Sequence, residues 1–318
     1  RWQTEEAYAY MNLGSLYSGQ RLHRKARENF ELAISLFEVL SAEFPDNMEY
    51  RTELANGYSW LGGELLEFRE LTAAIDVFER HISMLNILDT GNQNKMLMAQ
   101  IAEGTHFLAD LYLMTADFSR ADEVIGRGKS LYFELTTLDP ENMIWQRGNA
   151  MSYLFEARLN YARSDLSSAV ESIEYASKIM ADVAARTDIE SFRLRDMAIV
   201  SNDHARIRLA NNMIDAAESG VQDTIRLLGG DESYELARAH LLMGLIYDRR
   251  LDRTHAVAAW QTAISIASEL AESSNRLENV ALLAELYSYT GQNDKANALV
   301  TKLRESDYKN IVIEQRPL

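Results

Sequence analysis

The stretch HLLMGLIYDRRLDRTHAVAAWQTA (residues 240–263) decides the fold, because it places small residues in two successive apolar segments. Gly244 lies in the first segment and Ala256 in the second. Alanines equivalent to Ala256 recur with spacings of 48, 47, 48, 48, 39 and 40 residues: Ala26, Ala74, Ala121, Ala169, Ala217, Ala256 and Ala296. A nearly fixed period of this length is the signature of a solenoid of stacked helical hairpins.

The residues before each alanine repeat as well. A small residue lies between large apolar ones, as in Tyr10-x-x-Leu13-Gly14-x-x-Tyr17 and again around Gly62. This pattern resembles the tetratricopeptide repeat (TPR), in which a helix A and a helix B form each unit, and it covers almost the whole chain. The resemblance implies an all-α, right-handed superhelical solenoid of about seven TPR-like hairpins. We place the units at 1–47, 48–93, 94–142, 143–189, 190–231, 232–272 and 273–304, with a tail or cap at 305–318.

The spacing also predicts details of the helices. The first five units exceed the usual period of roughly 34 residues, so we expect long helices and a deep concave face. The small residues of each unit are expected to bring helices A and B close together. Turns are predicted at Gly19-Gln20, Gly229-Gly230 and Gly291-Gln292. Joints between units are predicted at residues 44–47, 89–92 and 139–142, where Pro, Asp and Asn stop one helix and cap the next.

The start of the chain matches the start of later units. The opening Arg1-Trp2-Gln3 aligns with Trp145-Gln146-Arg147, which follows the joint at 139–142. We therefore expect this sequence to be a fragment with further residues before it, and the exposed terminal units to favour self-association. The joints and openings are similar to those of TPR arrays in bacterial multidomain signalling proteins. That resemblance implies a regulatory or docking arm in the cytoplasm, although a periplasmic location stays open.

Composition narrows the functions that we consider. The chain has no cysteine, which removes disulfides and Cys-based metal sites, and its six histidines are scattered. The net charge of −16, from 48 acidic and 32 basic residues, opposes nucleic-acid binding and favours a basic or amphipathic protein or peptide. No apolar run is long enough to cross a bilayer. The sequence contains no P-loop and no nucleophile-elbow motif, so we expect a non-catalytic protein without metal or cofactor.

The concave face is lined mostly by helix A in TPR arrays, so the resemblance implies candidate partner-binding residues beside the small residue of each helix A. A partner helix or extended peptide is expected to lie in this groove. The candidates are Met11, Asn12, Trp60, His106, Phe107, Asp110, Phe155, Arg158, Asn202 and Arg206.

Three questions stay open at this point. The three aromatic candidates either contact a partner or simply pack between the long helices. The chain is either a protein-interaction scaffold, which we favour, or a module that senses a ligand or signal peptide and controls an attached effector. In the second case Asn56, Asn160 and Asn202 would hold a peptide backbone. The residues Ile311, Val312 and Ile313 either cap the last unit or begin another.

Overall fold

The computed structural model describes residues 2–89, 94–186, 190–230, 233–274 and 276–309. This part of the chain contains fourteen α-helices and no strand, and it forms the expected right-handed superhelical solenoid. The helices are α1 (Trp2–Gly19), α2 (His23–Glu43), α3 (Met48–Glu67), α4 (Leu71–Leu88), α5 (Lys95–Met114), α6 (Phe118–Leu138), α7 (Met143–Ala162), α8 (Leu166–Arg186), α9 (Glu190–Ala210), α10 (Ile214–Leu228), α11 (Tyr234–Arg249), α12 (Arg253–Ser273), α13 (Leu277–Tyr289) and α14 (Asn293–Arg304). Successive helices pack as seven antiparallel pairs, α1–α2 through α13–α14, which we call pairs one to seven.

Close approach within each pair depends on the predicted small residues. The seven repeating alanines are 0–2% exposed. Gly14 faces the ring of Phe30 so closely that a Cβ atom on the glycine would lie 2.6 Å from it. Gly62 faces Phe78 in the same way, also at 2.6 Å, and Gly244 faces the buried Trp260 at 2.2 Å. In each case the large ring lies four residues after the repeating alanine and fills the space that the glycine leaves.

A common three-residue turn joins the two helices of each pair. Its middle residue has a positive φ in every pair: Arg21, Arg69, Ala116, Ser164, Asn212, Leu251 and Gly291. The prediction at Gly291-Gln292 is therefore confirmed. At the first turn the prediction is displaced, because Gly19 still belongs to α1 and Arg21 takes the left-handed conformation. Only the last pair has the glycine that this conformation favours.

Asparagines begin several first helices, as the joints predict. The side chain of Asn47 accepts a hydrogen bond from the Glu49 amide, and that of Asn142 accepts one from the Trp145 amide. Asn94 caps α5, whereas the predicted joint residues 90–92 lie outside the described residues. Helix α10 ends at Leu228 and Gly229 follows with φ of 60°, as expected.

The superhelix curls far enough for its C-terminal end to reach pairs two and three. Buried residues of pair seven, including Leu277, Val280 and Leu303, belong to the same hydrophobic cluster as the cores of pairs one to three. The Thr72 hydroxyl donates a hydrogen bond of 3.0 Å to the Asp307 carboxylate. The Lys309 amide donates one of 2.7 Å to the Met114 carbonyl. The predicted cap residues Ile311–Ile313 lie outside the described residues.

Candidate functional site

A large groove runs along the inside of the superhelix. It encloses about 2110 Å³ and is lined mainly by the first helices of pairs two to seven, with Tyr308 and Lys309 at its edge. Seven of the ten candidate residues line it: Trp60, His106, Phe107, Asp110, Phe155, Arg158 and Arg206. We call the part of the groove around Trp60 and Phe107 the apolar half, and the part around Asp110, Arg158, Asp203 and Arg238 the charged half.

Two aromatic side chains present a face to the apolar half of the groove. The Trp60 ring stacks on Phe30 with 5.9 Å between centroids, and Phe107 stacks on Phe78 at 5.1 Å. One face of each ring is therefore held by the second helix of a pair. Trp60 is nevertheless 48% exposed and Phe107 42% exposed. These two rings pack between helices and remain accessible to a partner.

The third aromatic candidate, Phe155, is 6% exposed and packs inside the groove wall. The His106 ring lies 5.3 Å from it and 5.1 Å from the Tyr132 ring. The His106 Nε2 atom lies 2.8 Å from the Ser152 hydroxyl. Burial, together with the charge of Arg147, lowers the pKa of His106 to about 3. This histidine is therefore neutral at pH 7 and packs as an aromatic residue.

Ion pairs across neighbouring pairs build the charged half. Arg158 on α7 donates to the Asp203 carboxylate at 2.8 Å, and Arg238 on α11 donates to the same carboxylate at 2.7 Å. Arg238 also contacts Glu235 at 3.0 Å. Burial alone would raise the pKa of Asp203, but the two guanidinium groups outweigh it and hold the pKa at about 2. Asp203 is therefore ionised and ties three first helices together.

Asp110 extends this network, because it lies 3.7 Å from Arg158, and burial raises the pKa of its carboxyl group. A separate ion pair lines the same wall. Arg206 on α9 donates to the Glu285 carboxylate on α13 through both terminal nitrogens, at 3.2 and 3.3 Å. This salt bridge joins helix pair five directly to helix pair seven.

The other three candidates do not line the groove, which corrects their expected placement. Met11 is 8% exposed and belongs to the core, because Gly57 on α3 leaves room for its side chain. Asn12 is exposed but lies outside the groove lining. Asn202 is completely buried, and its side chain donates to the carbonyl and carboxylate oxygens of Glu235. The two remaining peptide-holding candidates, Asn56 and Asn160, also lie outside the lining.

The structure adds groove residues that the repeat motif did not indicate. They include Glu67, Glu103, Arg238, Glu278 and Tyr308. Glu103, Arg238 and Glu278 each lie six positions before the small residue of their helix. Tyr308 lies in the segment after α14. Extra helix length accounts for Glu67 and Glu103 in the long units, whereas Arg238, Glu278 and Tyr308 lie in or after the shorter last units and had no signal in the sequence.

Two other kinds of site have no support in the described part of the chain. No helix there has the length and the apolar character to span a membrane. Within the same residues, no group of three or more acidic or histidine side chains is arranged to hold a metal ion.

Comparison with known proteins identifies the repeat. Residues 7–38 match the tetratricopeptide repeat family. No curated protein sequence matches the chain.

Solved structures similar to this one are helical solenoids. The apo form of RapI is 13% identical with a TM-score of 0.66, covering 95% of this chain and 97% of that one. Aspartyl phosphate phosphatase F from Bacillus subtilis is 12% identical with a TM-score of 0.64, covering 97% and 72%. A Rap protein complexed with Competence and Sporulation Factor is 12% identical with a TM-score of 0.57, covering 98% and 77%. At these identities the likeness concerns the fold, which is an array of TPR-like helical hairpins, and residues 7–38 within it match a tetratricopeptide repeat.

Proposed function

We propose that this chain is a non-catalytic docking arm that holds a peptide or helix in its groove. The TPR fold is typically non-catalytic and is common in interaction scaffolds. The observation that carries the proposal is the accessible face of Trp60 and Phe107 in the apolar half of the groove. Partly exposed aromatic rings held rigidly by a second ring are favourable anchors for a partner.

The charges beside these rings favour a cationic partner. Glu67 and Glu103 add two carboxylates to the same half of the groove. The net charge of −16 adds a long-range attraction for cations. In the charged half, Arg158, Arg206 and Arg238 already form ion pairs with acidic side chains of the protein: Asp203, Glu285 and Glu235, respectively. We infer that the partner segment is amphipathic, with apolar side chains on Trp60 and Phe107 and basic side chains toward Glu67 and Glu103.

We also propose a role for the chain within a larger protein. A groove of this type suits a docking arm of a larger signalling protein, and the likeness to a Rap protein complexed with a factor supports a segment-binding role. A cytoplasmic location is part of the proposal and is testable by fractionation of the native host. The sensing alternative depended on Asn56, Asn160 and Asn202, none of which lines the groove. The docking role is therefore the better supported of the two.

A binding assay with a defined peptide tests this proposal. The probe is a fluorescent amphipathic helix of leucine and lysine, with a leucine–glutamate peptide of the same pattern as the charge control. We expect the lysine peptide to bind, and the double variant Trp60→Ala/Phe107→Ala to bind about tenfold or more weakly. Phe133→Ala is the matched control, because Phe133 is 67% exposed and lies outside the groove.

Three results would argue against the proposal. The first is that the double variant binds as tightly as the parent while circular dichroism shows it folded. The second is that Phe133→Ala weakens binding as much as the double variant does. The third is that neither peptide binds the parent, in which case a cationic amphipathic segment is not the partner.

A further inference from the structure

The segment that follows α14 links pair seven to pairs two and three. Asp307 accepts the hydrogen bond from Thr72 at the start of α4, and the Lys309 amide donates to Met114 at the end of α5. Thr72 and Asp307 are 235 residues apart in the sequence. We call residues 305–309 the clasp.

Tyr308 lies between the two hydrogen-bonded residues of the clasp. Its ring is half-buried and packs against the hydrophobic cluster that contains the cores of pairs one to three. Tyr308 and Lys309 also line the groove, together with Leu111 and Met114. The clasp is therefore part of the groove wall as well as a link from pair seven to pairs two and three.

The clasp is a small contact compared with the packing between successive pairs. Residues 305–309 contribute two hydrogen bonds and one half-buried ring, and Leu277, Val280 and Leu303 of pair seven add buried apolar contact with the cluster of pairs one to three. The repeats of a solenoid contact mainly their neighbours, so opening the clasp leaves each pair intact. Small changes at each pair-to-pair interface then add up to a wider groove.

We propose that residues 305–309 are a reversible clasp that holds the superhelix closed and limits the entry of bulky segments into the groove. The regulatory role of the clasp rests on the proposed docking function, because the clasp controls access to that same groove. Closure of the superhelix by the clasp can be measured without a partner.

Hydrogen exchange of the intact chain tests closure directly. The Lys309 amide is expected to exchange at least about tenfold more slowly than an unstructured amide, because it donates to Met114. Tyr308→Ala should remove this protection. Thr72→Val, which takes away only the side-chain hydrogen bond, should reduce it. Exchange of Lys309 at the unstructured rate in the parent would overturn the proposal.

Thiol labelling tests the effect on access, and the absence of native cysteine makes it clean. A single cysteine is introduced by Phe107→Cys and treated either with N-ethylmaleimide or with a maleimide that carries a long polyethylene glycol chain. Adding Tyr308→Ala, or ending the chain at Arg304, should increase the rate of labelling by the bulky reagent about fivefold or more. The rate of labelling by N-ethylmaleimide should stay unchanged. Phe133→Cys outside the groove is the control, where clasp variants should change neither rate.

The outcomes separate this proposal from the docking function. Equal labelling of Phe107→Cys by the bulky reagent with and without the clasp would overturn gating, even if the peptide binds. Gated labelling without peptide binding would support the clasp and refute the proposed partner chemistry.

Discussion

Replacing Gly62 by alanine tests the packing of the repeat, because Phe78 leaves no room for a Cβ atom. An ideal Cβ would lie 2.6 Å from Phe78 Cζ and 2.7 Å from Cε2, about 1 Å inside normal carbon contact. Overpacking a core costs about 1–3 kcal/mol, and the helix propensity of alanine returns about 1 kcal/mol. We expect Gly62→Ala to lower the free energy of unfolding by up to about 2 kcal/mol.

A second substitution should rescue the first. Phe78→Ile alone leaves a cavity beside Gly62 and costs about 2 kcal/mol. The double variant recreates the combination that pair three has at the equivalent positions, Ala109 with Ile125. We therefore expect the double variant to be more stable than the sum of the single effects by at least about 1 kcal/mol.

Urea unfolding followed by circular dichroism measures all of these variants. The control is the neighbouring Gly63→Ala, because Gly63 is exposed and a Cβ there would contact nothing within 4 Å. It should stabilise the protein by about 0.5–1 kcal/mol. Additive single effects at residues 62 and 78, within about 0.5 kcal/mol, would refute the packing argument. So would equal effects at residues 62 and 63.

Three further predictions concern other parts of the molecule. Leu251→Gly should raise the free energy of unfolding by up to about 1 kcal/mol in urea, since Leu251 has φ of 62° and is almost fully exposed; a loss of stability would contradict this. Burial lowers the pKa of His106 to about 3 and of His204 to about 4. Below the unfolded pKa of about 6.5 the unfolded chain therefore binds more protons than the folded one, and the free energy of unfolding decreases as the pH is lowered. Unfolding at pH 7 and pH 5 checks this, and His106→Gln should flatten the dependence. Asp203→Ala should cost about 3 kcal/mol or more in thermal unfolding, because Arg158 loses its partner inside the wall; an unchanged melting temperature would show the network to be dispensable.

Much of the fold could be predicted because the repeat pattern is local. Ala26 and Ala256 lie fully buried within their pairs, and Asn47 and Asn142 cap the helices that follow the joints. These features depend on neighbours within about one helical turn or one hairpin. The periodicity of a single sequence therefore contains the necessary information.

The turns were harder to predict from residue type. Arg21, Ala116 and Leu251 adopt a left-handed conformation that disfavours such side chains. Packing of the two helices in each pair imposes this conformation, so the short connection overrides local preference. Gly19 was the more obvious turn residue in the sequence, but it completes α1.

The groove was predicted only in part, because side-chain direction depends on the neighbouring helix. Met11 and His106 have the same position in their repeats, three residues before the small residue. Met11 nevertheless turns into the core where Gly57 leaves space, whereas His106 lines the groove. The contact between Thr72 and Asp307 was beyond prediction, since it results from curvature accumulated over several pairs.

The contact of the C-terminal segment with pairs two and three also limits how this protein can evolve. An open array can lengthen by duplication of a repeat, because each repeat contacts only its neighbours. Here an extra pair between α6 and α13 would carry Asp307 and Lys309 away from Thr72 and Met114. Duplications and deletions in this stretch would break the contact, so the number of repeats between the joined segments should be conserved among close homologues, even where their sequences have diverged.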